Sequence, residues 1–208
     1  MKKVFNLIIV DESGSMSIIR KQAFMGMNET LSTVRAMQEK YPEREQRVTL
    51  VTFDSEHLKW HYENAPAKGT KDLEWKAYNP CAATPLYDTI GKTVSKLNAI
   101  VGKDDDVLVT IITDGMENCS SEWTLEMVRN LIDKLKEQKW TFTLIGTDNL
   151  DVEGMASSMS IDECLEFTEN AEETAKMFSR ERKAREKYNL CIQENISMTK
   201  GHFFNEDE

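Results

Sequence analysis

The chain alternates between short runs of aliphatic residues and longer segments in which apolar side chains recur every three or four positions. Such runs predict buried strands, and such segments predict amphipathic helices. The predicted strands lie at 4–10, 47–53, 107–113, 141–145 and 163–167. The predicted helices lie at 18–40, 85–101, 125–139, 152–157 and 171–188. Because strands and helices alternate, we expect an α/β fold with one doubly wound, mostly parallel sheet and helices on both faces.

Two stretches depart from this alternation. Residues 57–62 resume an extended pattern after a polar turn, which predicts one antiparallel strand at the edge of the sheet. His57 and His61 are then expected to be exposed surface residues on that strand. Residues 64–83 are rich in Pro, Gly, Lys and Asn without periodicity, so a long surface loop is expected there.

No internal repeat, low-complexity tract or interdomain linker interrupts the chain. We therefore expect one domain at residues 1–188, followed by a polar tail at 189–208. The charged run Arg180–Lys187 is expected to be a solvated helix face with internal ion pairs, or alternatively a helix that docks onto a partner. Trp75 in the long loop is either a packing residue or an exposed anchor for a partner.

Composition narrows the classes of partner. The formal net charge of −10 argues against binding to nucleic acids or to an anionic membrane surface. The apolar start of the chain is interrupted by Asn6 and is too short for a signal peptide, and no run is long enough to span a bilayer. The four cysteines stand singly, without metal-ligand spacing, which favours free thiols in a reducing compartment. We therefore expect a cytoplasmic protein.

The strongest chemical signal follows the first predicted strand, in Asp11-x-Ser13-x-Ser15. A carboxylate and two hydroxyls at alternate positions of a turn can converge their oxygens on one point, and Gly14 allows the turn to be tight. Ligands that are all oxygen suit a hard cation such as Mg²⁺. The alternative is that Ser15 or Ser17 caps the helix that follows.

Two further groups extend this pattern. Thr84 is expected at the N-cap of a helix that has Pro85 at its first position. Asp114 follows the central strand, which is apolar on both faces. Because the carboxyl ends of parallel strands meet at one edge of the sheet, Thr84 and Asp114 are expected to surround the same cavity as Asp11.

Together, Asp11-x-Ser13-x-Ser15, Thr84 and Asp114 resemble the metal-ion-dependent adhesion site of von Willebrand factor type A (VWA) domains. The order of motifs and elements is similar from about residue 3 to residue 180. The short stand-alone chain resembles bacterial members of the family, such as those associated with tellurite resistance.

The resemblance implies a Rossmann-like VWA fold and Mg²⁺ as the cofactor, with Mn²⁺ or Ca²⁺ as substitutes. It implies that Ser13 and Ser15 bind the ion directly. Asp11 and Thr84 would bind it directly or through water, and Asp114 through water. A carboxylate of a partner protein would complete the coordination.

Enzymatic alternatives are weaker. Phosphatases that form an acylphosphate pair an aspartate at the end of the first strand with a second aspartate two residues later, which acts as a general acid. Ser13 occupies that position and cannot protonate a leaving group, and no P-loop is present. We therefore expect a metal-dependent protein-binding module rather than an enzyme, with a metal-dependent phosphoester hydrolase as the alternative.

Overall fold

The computed structural model describes residues 2–194, 196, 203 and 204. The strands are β1 (Lys3–Asp11), β2 (Glu45–Phe53), β3 (Leu58–Pro66), β4 (Asp106–Thr113), β5 (Trp140–Thr147) and β6 (Glu163–Phe167). The helices are α1 (Arg20–Lys40), α2 (Leu86–Asn98), α3 (Leu125–Lys136), α4 (Val152–Ser158) and α5 (Ala171–Glu194). Among the described residues, no helix is both long enough and apolar enough to cross a membrane.

The six strands form one sheet in the order β3-β2-β1-β4-β5-β6. All neighbouring pairs are parallel except β2 and β3, which confirms the expected α/β sheet with one antiparallel edge strand. From β1, the next strands β2 and β3 are added on one side of the sheet, and from β4, the strands β5 and β6 are added on the other. The gap between the ends of β1 and β4 is therefore the topological switch point, where open α/β sheets place their ligands.

Helices cover both faces of the sheet, as expected. Apolar side chains of α1 and α5 pack on one face, and those of α2, α3 and α4 pack on the other.

The layer formed by α1 and α5 also contains a buried polar network. Arg185 of α5 is fully buried, and its guanidinium donates to Glu181 Oε1, to Asn6 Oδ1 of β1 at 2.7 Å and to Thr110 Oγ1 of β4 at 2.9 Å. These bonds fasten α5 to the two central strands.

This network corrects the interpretation of the run Arg180–Lys187. Arg182, Lys183 and Glu186 are exposed, but Glu181 and Arg185 lie in the core. Helical periodicity puts residues four positions apart on one face, so the same charged run supplies both a solvated side and a buried ion pair.

The end of the domain also differs from the prediction. Helix α5 continues six residues beyond 188 to Glu194, and Asn189 is buried against Gln46, which donates to its side-chain oxygen at 2.7 Å. Phe203 and Phe204 are buried in the core. The prediction of a separate polar tail at 189–208 is therefore wrong for these parts, and its remaining positions at 195, 197–202 and 205–208 lie outside the described residues.

Residues 67–83 were expected to belong to a surface loop, but they form a strap that runs along α1. The strap begins after β3, beside the amino-terminal end of β2, whereas the candidate site lies at the carboxyl ends of the parallel strands. It contains short 3₁₀ turns at Ala67–Gly69 and Trp75–Ala77. Leu73 exchanges two hydrogen bonds with the side chain of Asn28 on α1, at 2.7 and 3.3 Å. Ala67 and Tyr78 are fully buried. The strap is thus built from contacts with α1 and the sheet, which its irregular composition does not reveal.

The buried ion pair yields a stability prediction. Replacing Arg185 by Met should lower the free energy of unfolding by about 3–5 kcal/mol, because ionised Glu181 would remain buried without its partner. The double variant Arg185→Met/Glu181→Gln should regain much of this loss, as measured by urea denaturation. Arg182→Met on the same helix, which removes an exposed ion pair with Glu29, should cost less than about 1 kcal/mol. Equal losses in Arg185→Met and Arg182→Met would contradict the prediction.

Candidate metal site

Strand β1 carries Asp11 to the edge of the sheet, at the switch point. The side chain is fully buried, and each carboxylate oxygen accepts one hydrogen bond. Oδ1 accepts from the backbone N–H of Ser13 at 2.7 Å, and Oδ2 accepts from the hydroxyl of Thr113, at the end of β4, at 2.6 Å. These bonds fix the orientation of the carboxylate before any ligand binds.

The turn after Asp11 directs its hydroxyls toward the same edge. Gly14–Ser17 form one turn of 3₁₀ helix, in which Ser13 Oγ lies 3.2 Å from Ser15 Oγ and the Ser15 hydroxyl donates to Asp114 Oδ1 at 2.7 Å. Helix α1 has Ile19 at its N-cap and no side-chain capping bond. The capping interpretation of these serines is therefore wrong.

Gly115 marks the point at which the ligand candidates converge. A Cβ placed on this residue would lie 3.0 Å from Thr84 Oγ1, 3.6 Å from Asp11 Oδ2 and 3.7 Å from Ser15 Oγ. Two segments that are distant in sequence, 11–15 and Thr84, thus direct oxygen atoms at one small space beside a third segment. With Ser13 and Asp114 bonded to Ser15, the structure brings all five predicted residues together.

The role expected for Thr84 in helix capping is corrected. Helix α2 begins at Leu86, its N-cap position is Pro85, and the cap makes no side-chain hydrogen bond. The backbone of Thr84 is instead held by Asn118, through bonds of 2.9 and 3.2 Å. Its hydroxyl therefore remains directed at the Gly115 space rather than at the helix.

The electrostatics of the site suit a cation. Burial raises the pKa of Asp11, although the bonds from Thr113 and Ser13 oppose this effect. Burial also raises the pKa of Asp114, and the nearby charge of Asp11 raises it further. Burial and the charge of Asp114 raise the pKa of Glu169 in turn. The charge of Asp11 thus opposes ionisation of Asp114, and the charge of Asp114 opposes ionisation of Glu169.

The protein itself supplies little compensation for these charges. Among the described residues, neither Asp11 nor Asp114 has an ion-pair partner. Buried Asp114 Oδ2 has no hydrogen-bond donor when Glu169 is ionised. A divalent cation would supply the missing positive charge.

The donor set also fits such a cation. Two carboxylates and three hydroxyls offer only oxygen, the ligand type that Mg²⁺ prefers. No cluster of three or more His, Cys, Asp or Glu side chains suited to a metal occurs in the described part of the chain. The candidate site therefore depends on its hydroxyls as much as on its carboxylates.

Glu12 has a structural role that sequence reasoning missed. Its side chain is fully buried, and Oε1 accepts from the backbone N–H of Asn79 and from Lys59 Nζ, the latter at 2.7 Å. The backbone carbonyl of Glu12 accepts from the N–H of Cys81 at 2.8 Å. Glu12 thus anchors the end of the strap that lies beside the site. An acid next to Asp11 carries no local signal that would distinguish this role.

Tyr78 was likewise missed. Its buried hydroxyl donates to the backbone carbonyl of Asp11 at 2.7 Å, and its own carbonyl accepts from Arg20 Nε at 3.0 Å. Burial raises the pKa of Tyr78, which keeps the hydroxyl protonated and able to donate. One residue therefore connects the strap, the start of α1 and the end of β1.

His57 and His61, both expected on the surface, differ from each other. His57 is exposed, as expected. His61 is half-buried, and its Nε2 lies 2.8 Å from Thr52 Oγ1 on the adjacent strand, so the expectation of an exposed surface residue is wrong here. Burial lowers the pKa of His61. His57 precedes β3, which begins at Leu58, whereas His61 lies within the strand, where its side chain reaches the neighbouring β2.

Hydrogen exchange can test whether Glu12 anchors the strap. A hydrogen bond to a charged group contributes about 1.5–3 kcal/mol, so Glu12→Gln should speed hydrogen exchange at the Asn79 amide by about tenfold or more. Glu63→Gln, which removes an exposed partner of Lys96, should leave that amide unaffected. Unchanged exchange of Asn79 in Glu12→Gln would show that the strap is held by other contacts.

Comparison with solved structures places this architecture among known folds. The vWF domain of the type V pili tip protein Mfa5 from Porphyromonas gingivalis matches with a TM-score of 0.61 at 12% identity, over 96% of this chain and 98% of that domain. The SpRpn10 VWA domain matches with a TM-score of 0.58 at 11% identity, over 86% of this chain and 94% of that domain.

Proximal thread matrix protein 1 from the mussel byssus matches with a TM-score of 0.59 at 13% identity, over 86% of this chain. The chain spans less than half of that protein, 44% of its length. By sequence, no family model and no curated protein matches. Structural likeness at these identities concerns the fold alone. On that basis, the chain has the fold of a von Willebrand factor type A domain.

Proposed function

We propose that this chain is a protein-binding module that depends on a divalent cation. Mg²⁺ would be held by Asp11, Ser13, Ser15, Thr84 and Asp114, with Mn²⁺ or Ca²⁺ as substitutes. A partner protein would present a carboxylate to the ion. The bound ion supplies a Lewis acid at the surface, and the residues around it supply orientation and access.

The convergence of oxygens around Gly115 carries this proposal. Thr84 Oγ1, Asp11 Oδ2 and Ser15 Oγ surround a space that a single methyl group would fill. Beside it lies the buried Oδ2 of Asp114, which has no hydrogen-bond partner once the neighbouring acids are ionised. Leaving a buried carboxylate oxygen without a partner costs free energy, so a structure that contains one requires an explanation. A cation bound in this space provides that explanation.

The donor set favours Mg²⁺ over Ca²⁺. Ca²⁺ takes six to eight oxygen ligands, whereas Mg²⁺ takes six and keeps several waters. Five side-chain oxygens, some of which act through water, leave coordination positions for an external group. Ca²⁺ could substitute for Mg²⁺, but its larger coordination number would have to be met by additional waters or by bidentate binding of a carboxylate.

The site is accessible from outside the protein. Ser15 is exposed, although Asp11, Ser13 and Thr84 are buried. Met116, immediately after Gly115, is 67% exposed and offers an adaptable apolar contact beside the site. An incoming carboxylate can therefore approach from the Ser15 side without rearrangement of the core.

The metal requirement can be tested by titration. Asp11→Ala should lose measurable Mg²⁺ binding in isothermal titration calorimetry, because it removes a ligand and both hydrogen bonds that orient it. Asp133→Asn, at an exposed acid on α3, should bind Mg²⁺ like the wild type. Equal binding by the wild type and Asp11→Ala would refute the assignment of the site.

A second variant tests the convergence point itself. Gly115→Ala places a methyl group 3.0 Å from Thr84 Oγ1, so Mg²⁺ affinity should fall by about tenfold or more while the melting temperature changes little. Gly69→Ala is the matched control, because a Cβ there meets nothing within 4 Å. Undiminished Mg²⁺ affinity in Gly115→Ala would place any metal elsewhere.

The expectation that the chain is not an enzyme stays a prediction. A phosphomonoesterase assay with Mg²⁺ should show no turnover by the wild type above that by Asp11→Asn. Turnover that disappears in Asp11→Asn would instead support the hydrolase alternative.

A further inference from the structure

One part of the surface beside the candidate metal site combines an exposed aromatic ring with cationic side chains. We call it the Arg–Trp surface; it consists of Ile18, Arg20, Lys21 and Trp75. Trp75 is 47% exposed and Ile18 is 71% exposed. The Arg20 guanidinium lies 4.3 Å from the centroid of the Trp75 ring, and Phe24 packs against that ring edge-on at 5.1 Å. The aromatic ring and the cation are therefore held in a fixed arrangement.

Short hydrogen-bonded links join this surface to the metal site. The carbonyl of Tyr78 accepts from Arg20 Nε, and its hydroxyl donates to the carbonyl of Asp11. The backbone N–H of Ile18 donates to the carbonyl of Ser15 at 3.3 Å. The Arg–Trp surface is therefore adjacent to Ser15, the exposed residue of the candidate site.

The cations of this surface have no acidic partner among the described residues. Neither Arg20 nor Lys21 forms an ion pair with an acidic side chain in the part of the chain that the structure describes. Arg20 makes one hydrogen bond to a backbone carbonyl through Nε, and its Nη nitrogens form no hydrogen bond with the described residues. In a chain with a net charge of −10, an arginine held on a tryptophan without an acidic partner is suited to an external carboxylate.

The opposite rim of the site has the reverse charge. The segments that follow β5 and β6, residues 147–154 and 167–173, contain six carboxylates, of which only Glu172 and Glu173 pair with a cation, Lys176 of α5, among the described residues. They lie on the far side of β4 from β1 and the start of α1. Like charges repel, so an acidic partner is disfavoured on that rim and favoured on the Arg–Trp surface.

We propose that the partner is an acidic segment with an apolar or aromatic side chain, and that it crosses the α1 side of the site. One carboxylate would reach the metal, a second would bind Arg20, and the apolar side chain would pack on Trp75. This inference rests on the proposed function, since the first carboxylate needs the metal site. Arg and Trp are also among the residues that most often dominate binding energy at interfaces.

The geometry limits the spacing of the two acids. Five positions separate Ser15 from Arg20, across the 3₁₀ turn, the turn at 18–19 and the start of α1, so at about 1.5–2.0 Å per residue they span about 10 Å at most. An extended partner rises about 3.3 Å per residue. It therefore covers this interval in about three residues, and the two acids should be about three positions apart.

Selection from a random peptide display library tests the proposal. The full chain is immobilised in Mg²⁺, and bound peptides are eluted with EDTA and sequenced. The wild type should enrich peptides with two acids at a constant spacing and an apolar or aromatic residue near them. Arg20→Glu should retain the first acid and select Lys or Arg in place of the second. Lys134→Glu, a charge reversal on the exposed face of α3, should select the same sequences as the wild type.

Each alternative outcome has a separate meaning. EDTA-eluted peptides with a single acid, selected equally by the wild type and Arg20→Glu, would refute the Arg–Trp surface and leave metal-dependent binding standing. A wild type that yields no EDTA-eluted peptides would refute both proposals. If Arg20→Glu selects nothing, Arg20→Gln decides, because glutamine keeps a donor for the Tyr78 carbonyl. Continued preference for the second acid in Arg20→Gln would refute the proposal, and loss of that preference would support it.

Discussion

The burial of the Asp11 carboxylate is the constraint on which the site depends. A buried charge without a counter-ion raises the free energy of the folded state unless hydrogen bonds offset it. Ser13 and Thr113 supply two such bonds, and the one from Thr113 is present only because β1 and β4 are adjacent parallel strands. The same adjacency buries Asp114 nearby, where the two acidic groups raise the free energy of each other's ionised form. The arrangement is therefore poorly compensated by the protein alone, which is the physical argument for an external cation.

The strap shows how a segment of irregular sequence becomes a precise part of the site. Glu12 and Tyr78 hold its end beside the site, and the carbonyl of Ala82 accepts a hydrogen bond of 3.1 Å from the backbone N–H of Gly14. The turn that contains the serine ligands is thus supported from outside by residues far away in sequence. Any movement of the strap would be transmitted to the oxygens that are expected to bind the ion, because both share these bonds.

The body of the sheet is stabilised differently. There, Arg185 connects α5 to β1 and β4 through a fully buried set of polar contacts. Asn6 interrupts the apolar run of β1, yet its side chain takes part in this network and also donates to Gln46 at 3.0 Å. The two central strands therefore carry two sets of polar residues. Asn6 and Thr110 bind Arg185 of α5, and Asp11 and Thr113 lie at the candidate site.

The sequence by itself determined the α/β class, the mostly parallel sheet and the five candidate ligands. These follow from local signals, namely the periods of the apolar residues and the acids and hydroxyls placed where strands end or where a helix begins. Tertiary structure decided the convergence of Thr84, Asp11 and Ser15 on Gly115 and the path of the strap. It also decided the burial of Glu12, Tyr78 and Arg185. Such features depend on contacts between residues far apart in the chain, and local periodicity carries no information about which distant partner will neutralise or bury a given side chain.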